Sequence, residues 1–166
     1  MSPLASERKL VLAYDCLKDP RDLAEVIHLA AGFGAEVHLL GKSLDPAHGK
    51  VLRKLESWRP DLAERPQAIG ARRFSGADGW LAEVRRLGFT VVGTSIEGGS
   101  LPWSDPLGAR VAVLFGEETH GLPEGLLEQC DRLWTIPLGP GGRFYTVGQA
   151  TAVILGGRPP AGWLRS

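Results

Sequence analysis

Charge of one sign is what this sequence most plainly lacks: its 166 residues carry 19 Lys+Arg against 19 Asp+Glu. A globally basic field is therefore excluded, and any nucleic-acid surface has to be a local patch. Cysteine is scarce too. Cys16 and Cys130 stand far apart with no CxxC spacing, which argues against a disulfide framework or a metal site. Long apolar runs are missing, and residues 1–10 lack the apolar stretch of a signal peptide. The expectation is a soluble, cytoplasmic protein with no membrane association. Neither GxGxxG nor GxxxxGK[ST] occurs, which disfavours dinucleotide and P-loop sites.

Hydrophobic residues make up 43% of the chain, enough for a substantial core, and glycine (22) and proline (12) are somewhat high. Short β-rich runs stand at 9–14, 36–40, 90–95, 110–115 and 133–136. Between them lie helical patterns. One opens at Asp19, with Asp19 as N-cap and Pro20 at the first helical position, and ends at Gly32 and Gly34. Others cover 45–57, 78–87, 123–129 and 146–155. Residues 64–74 read as a loop with a strand near Ile69. Strands alternating with helices predict an α/β fold: a mainly parallel sheet with helices on both faces. With no repeat or linker, residues 1–166 read as a single domain.

Three strands run into loops of small residues, at 94–99, 116–121 and 138–142. In an open parallel sheet, ligands bind outside the carboxyl ends of the strands, and glycine lets backbone amides and carbonyls approach a ligand closely. These loops are the place to look for a small-molecule site.

The stretch FGEETHGLPEGLLEQCD (115–131) resembles the second motif of the SpoU/TrmH-type RNA 2′-O-ribose methyltransferases of the SPOUT superfamily, roughly FG-N-E-x-x-G-L. Phe115, Gly116, Glu118, Gly121 and Leu122 match, and Glu117 replaces the usual Asn. DPRDLAEVIHLAAGFGAEVHLL (19–40) looks like the family's first motif, and VRRLGFTVVG (84–93) is loosely similar to the segment before its first cofactor loop. IPLGPGGRFYTVGQATAVIL (136–155) resembles the third, which opens with IP and continues as SLNVSxAxAIxL. The resemblance implies a C-terminal deep trefoil knot, a rare exception to unknotted topology. It also implies S-adenosyl-L-methionine (SAM) as cofactor, a homodimer sharing its active sites, and RNA as substrate. The absence of an added RNA-binding domain suggests a compact member of the kind that modifies tRNA. By match, cofactor residues are Thr94, Ser95, Ile96, Gly98, Phe115, Gly116, Glu118, Ile136, Leu138, Tyr145, Val147 and Ala150.

The catalytic letters depart from the family. Its motif-one Arg aligns with His28 and the Asn before it with Asp22. The Asn of motif three is Thr146, and a Ser beyond it is Gly148. His28 could serve as general base, since imidazole titrates near neutrality, or be an ordinary polar residue on the helix flank. Glu118 is expected as an active-site or dimer-organising carboxylate. Arg143 could take over phosphate contact from the missing Arg, or be a loop Arg without a role. The catalytic candidates are thus His28, Glu118, Thr146 and Arg143. RNA contact would rest on Lys50/Arg53/Lys54, Arg72/Arg73 and Arg85/Arg86. The departures leave open a second reading, a SPOUT-like protein that binds SAM, its product or RNA without methyl transfer. An unrelated doubly wound nucleotide-binding domain is a third.

Overall fold

The computed structural model describes residues 9–105, 108–117 and 120–157. The central strand β1 (Lys9–Asp15) is flanked by β2 (Glu36–Leu40) and β5 (Arg110–Phe115). Beyond them lie β3 (Arg72–Phe74), β4 (Thr90–Thr94) and β6 (Arg132–Trp134). The order is β3-β2-β1-β5-β4-β6, and every pairing is parallel. A strand covered on both faces needs no polar alternation, which is why β1 reads as a continuous apolar run. Leu12 and Tyr14 enter one core, and Val11 and Ala13 the other.

Helices α1 (Pro20–Phe33), α2 (Gly49–Trp58), α3 (Pro60–Glu64) and α6 (Val147–Gly157) cover the first face. Helices α4 (Ala77–Arg86) and α5 (Glu124–Leu127) cover the second. α1 starts and stops as its sequence predicts. The Asp19 carboxylate accepts from the amides of Arg21 (2.8 Å) and Asp22 (3.0 Å), and Gly34 closes the helix at φ 64°. α2 begins four residues later than the composition suggests, because His48 caps it: its Nδ1 accepts the Lys50 amide at 3.2 Å. α3 was not anticipated, and Ile69 lies in a 3-10 turn, with the strand formed instead at Arg72–Phe74.

Tyr14 ties the central strand to α6. The Thr151 hydroxyl donates to the Val147 carbonyl (2.8 Å), so the Tyr14 hydroxyl is the donor in its 2.8 Å bond to Thr151. Burial pushes the Tyr14 phenol far above its ordinary value and keeps it protonated.

Strand β6 is paired on both edges. On one edge it meets β4, with Thr94 opposite Trp134. On the other, Ser100 bridges to Trp134 in parallel, its amide donating to the Leu133 carbonyl (3.0 Å) while Thr135 donates back to Ser100 (3.0 Å). The chain leaving β4 therefore runs round the outer edge of β6 before it returns to β5. The Asp105 carboxylate, only 5% exposed, secures this path by accepting from Trp134 Nε1 (3.0 Å) and Arg132 (3.3 Å).

Candidate functional site

The sheet changes direction of growth between β1 and β5, so a crevice opens at their carboxyl ends. There, residues 15–19 face Gly116, Glu117 and Val147 across a cavity of about 200 Å³. Beside it, a more open cleft of about 540 Å³ is lined by Glu25 of α1, by the 138–145 loop and by Gln149, Ala152 and Val153 of α6. Its size is that of a small-molecule site.

The three small-residue loops lie side by side at the ends of β4, β5 and β6, and each is closed on itself. In the first, the Ser95 hydroxyl donates to the Glu97 carbonyl (2.8 Å). In the second, the Gly121 amide donates to the Glu117 carbonyl (2.7 Å). In the third, the Tyr145 hydroxyl donates to the Pro137 carbonyl (3.0 Å). Loops held this way lose little freedom when a ligand binds. They are also joined to one another: Ser95 donates its amide to the Trp134 carbonyl (2.9 Å), and the Thr94 hydroxyl donates to the Leu114 carbonyl (3.2 Å). Gly116 must be glycine for a local reason. A Cβ there would lie within 2.6 Å of the Gly121 carbonyl oxygen and closer still to the Leu122 nitrogen. The close approach is between two backbone segments of one loop, and the ligand is not needed to explain it.

The expected cofactor residues divide by what their side chains do. Phe115 is 2% exposed and stacks on Tyr14 at 4.9 Å, so its ring belongs to the core. Ile136 and Ala150 pack against that core, and Val147 lines the cavity. Ile96 is 82% exposed, and Leu138 stands at the cleft. Gly98, at φ 77°, turns the first loop. Glu118 lies outside the described residues.

The catalytic candidates are not gathered together. His28 sits on the third turn of α1 with its ring 5.5 Å from that of Trp58 on α2. Its Nδ1 is buried without a hydrogen-bond partner, and it lines neither hollow. Thr146 has a structural task. Its hydroxyl accepts the Gln149 amide (3.2 Å) while the Gln149 side chain accepts the Thr146 amide (3.0 Å). This is the reciprocal cap of a T-x-x-Q sequence, and the TVGQ letters carried that signal. Arg143 is exposed on the third loop. Asp22 is buried in the first turn of α1. Glu25 and Asp105 were missed: nothing in the sequence pattern marks either of them. Cys130, tucked under Gly93, has its thiol pushed up to about 11 by burial, so it offers no thiolate.

Of the basic clusters, two are engaged with the protein itself. Arg72 and Arg86 pair with Glu83 (3.6 and 3.0 Å). Arg73 donates to the Ser43 and Leu44 carbonyls, and Arg85 to that of Gln129. Lys50, Arg53 and Lys54 are exposed on α2, and among the described residues no acid pairs with them. No described helix is long and apolar enough to cross a membrane, and no metal-ligating cluster occurs among the described residues.

A parallel sheet with three closed loops at the ends of adjacent strands, and a chain passing round its own edge strand, defines an α/β class of cofactor-binding proteins. The sequence gives the family: residues 9–156 match the SpoU rRNA Methylase family, and the chain belongs to it. Among its relatives, the 23S rRNA (guanosine-2'-O-)-methyltransferase RlmB of Coxiella burnetii is 30% identical over 129 residues, 78% of this chain and 49% of that protein. The 23S rRNA (guanosine(2553)-2'-O)-methyltransferase RlmP of Bacillus subtilis is 28% identical over 153 residues, 92% of this chain and 58% of that protein. The chain thus spans about half the length of the curated relatives it matches. The fold is similar to the AdoMet-bound rRNA methyltransferase from Sinorhizobium meliloti. The TM-score is 0.79 at 25% identity, over 92% of this chain and 56% of that one.

Proposed function

We propose that this chain transfers a methyl group from SAM to a ribose 2′-hydroxyl of RNA. The observation that carries the reading is the row of three self-closed loops on β4, β5 and β6, opening beside the N-terminal end of α1. The loops present main-chain groups and small residues, which suits a ligand held by backbone contacts. By family match, SAM would be held by residues 94–98, 115–118, 136–138 and 145–147 with Ala150. When bound, it supplies a methyl made electrophilic by the sulfonium. The protein's part is to hold the hydroxyl in line with that methyl, exclude water and receive the proton.

The path of residues 95–105 round β6 supports the deep trefoil knot of the family. A homodimer is part of the proposal. α6 is apolar on both faces, which is the mark of a helix covered on both sides, and Trp103 (44% exposed), Leu138 and Phe144 (64%) add to the surface it would bury. Lys50, Arg53 and Lys54, exposed and without an acid partner among the described residues, form a cluster available to phosphates.

Calorimetry with SAM on the folded protein tests the cofactor, and a methyl-transfer assay on RNA from a strain lacking the protein tests the reaction. The relatives named for 23S rRNA make rRNA the first substrate to try and tRNA the second. Binding of SAM with transfer to one of these RNAs is expected. A folded protein with no affinity for SAM would overturn the reading.

A further inference from the structure

We propose that Glu25 is the group that receives the proton of the acceptor hydroxyl, and that a side chain at position 148 would displace this carboxylate. The inference rests on the methyl-transfer reading above.

The geometry begins with α6. Val147 lines the small cavity together with Gly116 and Glu117, and Gln149 lines the open cleft together with Leu138 and Tyr145. Gly148 stands between them in the first turn of α6. A Cβ built on Gly148 would lie 2.7 Å from the carboxyl carbon of Glu25 and closer still to one of its oxygens. The carboxylate therefore reaches across from α1 and rests on the first turn of α6. The positive end of a helix favours an anion there. Among the described residues none bonds to it, and it lines the cleft itself.

Among the described residues, its competitors other than Asp15 are engaged or turned away. The Thr146 hydroxyl caps α6. The His28 ring faces Trp58. Asp19 caps α1. Glu117 pairs with Lys18 at 3.5 Å. Asp15 lines the cavity beside Gly41 and is the comparator to beat.

The step balances without another reactant. The hydroxyl proton passes to a Glu25 oxygen as the bond from the ribose oxygen to the methyl carbon forms. The electrons of the breaking carbon–sulfur bond stay on sulfur, which leaves as a neutral thioether. The carboxylic acid then returns its proton to water.

The test uses single-turnover transfer from labelled SAM to total RNA of a strain lacking the protein, with calorimetric SAM affinity measured on the same variants. Glu25→Gln is expected to slow transfer at least about a hundredfold while SAM affinity stays within about twofold. Glu25→Asp should recover part of the rate. Gly148→Ala should slow transfer in the wild-type background and cost nothing further in Glu25→Ala, because the displaced group is already gone. Wild-type transfer that survives Glu25→Gln overturns the proposal and leaves the family reading intact. So does a Glu25→Gln loss matched by an equal loss of SAM affinity, or a rate that collapses with Asp15→Asn alone. A wild-type protein that binds SAM but methylates neither rRNA nor tRNA overturns the reading itself, and the proposal with it.

Discussion

At the carboxyl ends of β4, β5 and β6 the site is built of main chain, whereas along α1 and α6 it is built of side chains. The first region tolerates change in its letters. Glu117, which the motif resemblance sets in the place of an Asn, leaves the loop closed through its own carbonyl and the Gly121 amide. The second region depends on its letters. His28, Thr146 and Gly148 are positions that the motif resemblance sets apart, and the structure finds each with a different neighbour: an indole, a helix cap and a carboxylate. Backbone geometry survives substitution so long as a few glycines remain. Side-chain chemistry has to be rebuilt as a set.

The largest effect should come from breaking the main-chain region at Gly116. Gly116→Ala forces a methyl into the Gly121–Leu122 backbone, and overpacking of this kind costs about 3 kcal/mol. Chemical denaturation should show that loss, and SAM affinity should fall with the shape of the loop. Gly125→Ala in α5, where a Cβ would meet nothing within 4 Å, is the control and should leave both unchanged. Equal behaviour of the two variants would mean that the second loop is not held as described.

A smaller effect tests the joint between the regions. Thr151→Val keeps the shape of α6 but removes the acceptor of the buried Tyr14 hydroxyl. An orphaned hydroxyl costs about 1–3 kcal/mol. Since Tyr14 also stacks on Phe115, the second loop should loosen with it. Amide hydrogen exchange at Phe115 and Gly116 should rise in Thr151→Val. Unchanged protection there would separate α6 from the loop.

The sheet was legible from the sequence because strands alternate with helices and β1 is apolar on both faces. α1 was legible because Asp19, Pro20 and Gly34 are capping residues with a local mechanism. What escaped was set by tertiary position. β6 is short and takes its pairing from β4 on one side and Ser100 on the other, so its end at Trp134 is not written locally. Asp105 is a lone acid in sequence, and its role exists only because Trp134 and Arg132 arrive beside it. Glu25 is one polar letter among several on α1, and its meaning depends on a missing Cβ 123 positions away. Thr146 is different: its T-x-x-Q cap is a local signal carried by the letters themselves.

The smallest expected effect lies far from both regions and serves to show that they can be left alone. On β2, His38 is 2% exposed. Trp80 Nε1 carries a hydrogen and donates to His38 Nδ1 at 3.0 Å, so the neutral ring carries its own proton on Nε2, 3.3 Å from a Glu36 oxygen. Burial lowers the His38 pKa, only partly offset by Glu36. A His whose folded pKa is lowered binds fewer protons folded than unfolded. Its contribution to stability is complete above the unfolded value of about 6.5 and is lost as pH falls below it. The fold should weaken by less than about 1 kcal/mol between pH 7 and 6 from this group. His38→Gln keeps an acceptor for Trp80 but does not titrate, so it should flatten that slope in chemical denaturation. SAM affinity at pH 7 should be the same in wild type and His38→Gln, because the ring touches neither the loops nor α6. A slope that persists in His38→Gln would place the titrating group elsewhere in the fold.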